Sequence, residues 1–153
     1  MTASALKARQ PWMDRYRTPS VNELVSAFNK QLTGVVNHAR ERMLAIDGVK
    51  EEVSWQGVWR WTLLYRIPGE ADRVWAYLVM DPHKPRLAVP VPNDLISELP
   101  VKKLSKFVRD GLAHAPTVDG VRWAHWEIQG KTQADDILSL AEFRLGAATK
   151  AER

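Results

Sequence analysis

Near residue 48 the hydrophobic period of this chain changes from about 3.6 to 2, and that switch restricts its fold more than any other feature. Before it, Val21, Leu24, Val25, Phe28, Leu32, Val35, Val36, Ala39, Met43 and Ile46 recur at helical spacing. Ser20 and Glu23 have capping-box spacing and Gly48 supplies a stop, so one long helix is predicted over 20–46. Beyond the switch, Trp59, Trp61, Leu63, Tyr65 and Ile67 alternate with Val58, Arg60, Thr62, Leu64 and Arg66. Such alternation predicts a strand over 58–67 whose first set faces the helices.

Further strands are predicted over 51–55, 73–80, 86–91 and 121–128, with Pro90 and Pro92 favouring a strand end or an edge. The 68–72 segment has hairpin length, whereas parallel neighbours need a long crossover, so the sheet is expected to be mainly antiparallel. Short helices are expected over 93–99 and from Pro100 to Leu112; Thr132 and Asp135 suggest the start of a terminal helix. The predicted fold is α+β: a curved, mainly antiparallel sheet of four to five strands, with a long N-terminal helix and a C-terminal helix packed on one face. A single domain over 20–146 lies between a basic arm, 1–19, and a tail, 147–153.

A chain of 153 residues can bury one ordinary core without staples. Having no cysteine, it forms no disulfide and offers neither a thiolate nucleophile nor a cysteine-held metal. No run of apolar residues has the length of a spanning helix, and no secretory leader is recognisable, so a soluble cytoplasmic protein is expected. The net charge of +4 sits at the ends: Lys7, Arg9, Arg15 and Arg17 face only Asp14 before residue 20. Charge located there disfavours nucleic acid, which needs a basic stripe on the folded body; the remaining route adds Lys102, Lys103, Lys106 and Arg109 to the arm.

The run Trp61-Thr62-Leu63-Leu64-Tyr65-Arg66, the following Tyr77-Leu78, and Gly120-Val121-Arg122-Trp123 through Glu127 with its succeeding helix resemble a bacterial family of small α+β proteins without an assigned activity. The resemblance covers roughly 24–145. It implies helices grouped on one side of a curved antiparallel sheet, and it brings no catalytic residues.

Seven tryptophans are the other conspicuous signal. Trp12 is a candidate anchor for the arm; Trp59 and Trp61 are expected in the helix-facing core, and Trp75 and Trp123 in a groove or interface. The sharpest candidate binding set is Arg60, Arg66, Trp75, Tyr77, Trp123, His125 and Glu127. Alternation makes Arg60 and Arg66 co-facial, as it does Trp123, His125 and Glu127. Two guanidiniums there could clamp a small anionic or aromatic ligand beneath rings. His125 and Glu127, about 6.5–7 Å apart along a strand, also invite a general-base reading, but no nucleophile or orienting group is marked beside them. His38, His83, His114 and His125 lack metal-ligand spacing, and no glycine-rich phosphate loop occurs, so no metal or cofactor is expected. The leading expectation is a non-enzymatic binding or protein-interaction domain, with a homodimer through the sheet or long helix as one form of it; the alternative is a small anionic-ligand sensor or enzyme with a pocket near Arg60, Arg66 and His125.

Overall fold

The computed structural model describes residues 10–66 and 73–151. Lys7, Arg9, Ile67 and the 68–72 loop lie outside the described residues. Among those described, six strands form one open antiparallel sheet: β1 (Lys50–Trp55), β2 (Trp61–Arg66), β3 (Val74–Val79), β4 (Arg86–Pro92), β5 (Thr117–Val118) and β6 (Val121–Glu127). Their spatial order is β1-β2-β3-β4-β6-β5. Five helices accompany them: α1 (Val21–Val25), α2 (Lys30–Leu44), α3 (Asn93–Ile96), α4 (Lys106–Ala113) and α5 (Lys131–Ala151).

The long first helix is two. Ser20 and Glu23 do form the full capping box that opens α1. The Ser26 hydroxyl then donates to Glu23 O (2.9 Å), and the Asn29 side chain accepts from Leu32 N–H (2.8 Å), starting α2 afresh. Both pieces bury the same stripe, Leu24 and then Leu32, Val35, Val36, Ala39 and Met43, so helical spacing persists across the break.

The strand expected over 58–67 begins later, at Trp61. Residues Gly57–Trp59 form a 3-10 turn, with positive φ at Gly57 (58°) and at Arg60 (58°) interrupting the extended chain. The short β5, not among the expected strands, pairs with β6 and raises the strand count to six. β4 is an interior strand, but its pairing with β3 covers only Arg86 to Ala88. Pro90 and Pro92 lie beyond that stretch, where β4 has β6 alone and a missing N–H need cost no ladder bond. At the terminal helix, α5 starts at Lys131 rather than from a Thr132 cap, with Gly130 O accepting from Ala134 N–H (3.2 Å), and its backbone runs past Gly146.

One sheet face carries the core. α2 and α5 pack on each other, α5 rests on β3 and β4, and α4 covers β6. Val36, Ala39, Met43, Leu63, Leu78, Leu87, Val89, Ala124, Ile137 and Leu140 are fully buried between these layers. Each larger aliphatic side chain there contributes about 1.5–3 kcal/mol of burial. Polar ties fix the helices: Arg40 grips Glu51 through two 3.0 Å contacts while the buried Tyr65 hydroxyl donates to the same carboxylate (2.5 Å). Burial first, then the Glu51 charge, pushes the Tyr65 phenol well above its ordinary range, so it stays a donor. Between α2 and α5, Asp135 holds His38 (2.7 Å) and Arg42 (2.9 Å).

Four indoles dock elements onto this face. Trp12 donates to Trp59 O (3.1 Å) and Trp61 to Asp14 O (2.7 Å), which fastens the arm. Trp126 donates to Phe107 O in α4 (3.2 Å), and Trp75 to Ala141 O in α5 (2.6 Å). Trp75 was expected in a groove beside Tyr77. It is instead fully buried, because Tyr65 pairs with Ala76 and Arg66 with Val74, leaving Trp75 as the extra residue of a β-bulge that re-aims its side chain toward the helices.

Candidate functional site on the open sheet face

The helices α2, α4 and α5 lie on the first face; on the second, register decides what the described residues present. Leu64, Tyr77, Ala88 and His125 form one cross-strand row; Thr62, Val79, Arg86 and Glu127 form the next; Pro90 opposes Trp123. Tyr77 and His125 are two strands apart, about 10 Å at the usual spacing, with only the Ala88 methyl between them. Trp59 fills that gap from the 3-10 turn. Its ring lies 5.7 Å from Tyr77 and 6.4 Å from His125, and Tyr77 in turn lies 5.7 Å from Trp123. Ala88 is 1% exposed beneath this cluster, whereas Trp59, Tyr77 and Trp123 are half-buried and His125 is exposed.

Trp59 thus reverses its expected side. A strand through 58–67 would put it beside Trp61 in the core, but the turn carries it to the opposite face. Gly57, two positions earlier, is the sequence signal for that break. Ala88 and Arg86 were also missed as members, although alternation over 86–91 makes them co-facial and only the register brings them beside His125.

The charges on this face have both signs. Arg66 donates to Glu52 (2.8 Å), an exposed pair of small energetic weight. Glu127 accepts from Gln129 (2.5 Å) rather than contacting His125, so the acid–base pair suggested by their spacing is not formed. Arg86 opposes Glu127 in register, yet no ion pair joins them, and the buried Arg86 Nε has no hydrogen-bond partner. Burial and then the nearby Arg86 charge push the His125 imidazole below its ordinary value. Burial likewise raises the Tyr77 phenol, against the opposing charges of Arg66 and Arg144.

Of the predicted binding set, the structure gathers Arg66, Tyr77, Trp123, His125 and Glu127 on one face. Trp75 lies on the other. Arg60 is outside the strand, at the end of the 3-10 turn, with its guanidinium 4.9 Å from the Trp12 ring centroid, so it is not co-facial with Arg66 in β2. Of the two basic groups considered for nucleic acid, the described part of the first lies away from the second. Arg17 pairs with Glu23 at α1 (2.7 Å), while Lys102, Lys103, Lys106 and Arg109 sit on or just before α4 at the β6 end of the sheet.

Among the described residues no three acidic or histidine side chains are placed to hold a metal ion, and no helix is long and apolar enough to cross a membrane. Among the described residues the face can offer ring surfaces, an imidazole whose pKa is lowered, and Arg86 and Glu127 with no ion pair between them. No protein-family model matches this chain and none of the curated proteins is similar to it, so what the face can do rests on its own geometry.

Proposed function

We propose that the protein is an interaction module that associates with a second copy of itself through the open face of the sheet. The observation that carries this reading is the cluster of Trp59, Tyr77, Trp123 and His125 over Ala88, which among the described residues is half-buried to exposed rather than closed into the core. Tryptophan, tyrosine and arginine are the side chains that most often anchor protein interfaces, because their large rigid areas lose little entropy on burial. The choice of a second copy follows from charge. A two-fold interface brings one patch against itself, so a patch of single sign repels its copy. This one carries Arg86 and Glu127 side by side without an ion pair between them, which allows Arg86 of one copy to meet Glu127 of the other.

Sedimentation velocity from micromolar to near-millimolar concentration tests the reading. The expected result is a concentration-dependent dimer that Trp123→Asp converts to monomer, since a carboxylate within the patch would be desolvated in both copies. A wild-type protein that stays monomeric throughout the range ends the proposal.

A further inference from the structure

A second place in the molecule is built differently. The arm lies against the start of β2, fastened by the indole hydrogen bonds of Trp12 and Trp61. Between arm and sheet opens a cleft of about 460 Å³, lined by Met13, Arg15, Tyr16, Trp55 and Arg60. That volume is within the usual range for small-molecule sites. It lies by the Trp55–Trp61 pair, whose rings meet edge to face at 5.5 Å, and so on the face away from Trp123.

Arg60 is the unusual member. Its φ of 58° and ψ of −141° belong to a conformation normally left to glycine, and a bulky side chain there strains the backbone. The guanidinium is nevertheless held in place, stacked on Trp12, at the wall of the cleft. Arg15 supplies a second guanidinium, and among the described residues neither has an ion pair with a carboxylate. Asp14, the nearest acid in sequence, is engaged locally, accepting from Tyr16 N–H (3.1 Å). Two arginines without an ion pair among the described residues thus line a cleft whose remaining walls are Trp55, the exposed Tyr16 and Met13.

We infer that this cleft binds a small ligand made of a compact anion, phosphate or carboxylate, attached to a planar ring. Arg15 and Arg60 take the anion, since guanidinium forks match its oxygens, and Trp55 with Tyr16 takes the ring. The strain at Arg60 is then the cost of aiming a guanidinium that an unstrained residue at this turn would not present.

Titration calorimetry of the full chain with phenyl phosphate, inorganic phosphate and phenol tests the site. Phenyl phosphate should bind, with inorganic phosphate and phenol each weaker by about tenfold or more, because each keeps half of the recognition. Arg15→Gln, at an exposed position, should lose about tenfold in phenyl phosphate affinity with an unchanged unfolding midpoint. Arg60→Gly should lose as much while its unfolding midpoint holds or rises, the mark of a strained residue kept for binding. Trp123→Asp should leave this binding intact, which separates it from self-association. Absence of heat with phenyl phosphate overturns the inference, as does inorganic phosphate binding equally well, or Arg15→Gln binding like the wild type.

Discussion

The two faces of one sheet use tryptophan in opposite ways. On the helix side, Trp12, Trp61, Trp75 and Trp126 each give their indole N–H to a backbone carbonyl of another element, and each is nearly or fully buried. Trp59 and Trp123, on the open face, are only half-buried, meet other rings, and among the described residues have no indole hydrogen bond. A buried indole without an acceptor loses about 1–3 kcal/mol, so a donor bonded to a carbonyl marks a ring that belongs to the fold. A half-exposed ring with its donor unbonded inside the protein can still be covered by something else. Trp55 is the exception, half-buried although it shares the helix-side face with Trp61, and it lines the arm cleft.

The strongest way to break this division is Trp75→Ala. Emptying a fully buried indole site should cost about 3–5 kcal/mol in urea unfolding, because β3 and α5 cannot close the cavity completely. A loss below about 1 kcal/mol, the level of an ordinary surface change, would mean the bulge does not lock this ring.

Gly111→Ala comes next. Alanine in a helix interior is normally worth about 1 kcal/mol over glycine, yet a Cβ at this position falls 1.9 Å from Trp126 Nε1. The indole cannot easily yield, since it donates to Phe107 O one turn earlier in α4. Overpacking should therefore win, with a net loss of about 1–2 kcal/mol and a shifted Trp126 indole proton resonance. A stabilised variant would show Trp126 to be free to move.

These cases also show what was legible in the sequence. The Ser20–Glu23 capping box and the alternation of Trp61, Leu63 and Tyr65 are local patterns, and both appear in the fold. The break before Asn29 was hidden because two helices sharing one buried stripe keep the same spacing as one. Trp75 and Trp59 were assigned to the wrong faces for a common reason. Side-chain alternation reverses at a bulge or a turn, and a one-residue irregularity moves a ring across the sheet. Arg66, Tyr77, Trp123, His125 and Glu127 obeyed alternation and so came out on one face, while their neighbours Arg86 and Ala88 emerged only from the β4–β6 register.

Trp123→Ala should have a smaller effect on folding than either core change. Its half-buried ring has the Tyr77 contact to lose, so about 1 kcal/mol of stability is expected by urea unfolding. Self-association should fall far more than stability does. Equal losses in both measurements would erase the distinction between the two faces.

The smallest expected effect concerns His125, and it reads the open face without removing a ring. Its folded-state pKa is depressed, by burial first and by Arg86 second, relative to about 6.5 in an unfolded chain. A depressed pKa means the unfolded state binds protons more readily, so the contribution to stability is full above about pH 6.5 and is lost as pH falls through the folded value. Protonation places a cation beside Arg86, under Trp59 and across from Tyr77, with Glu127 the nearest carboxylate in register and already bonded to Gln129. In a dimer joined through this face, each added proton appears twice, once from each copy, so association should weaken over the same acidic window. Sedimentation and urea midpoints of the wild type and His125→Gln, followed between roughly pH 7.5 and 5, isolate this group from His38, His83 and His114. The wild-type curves should bend downward toward acid more steeply than those of the variant, and identical curves would remove His125 from the interface.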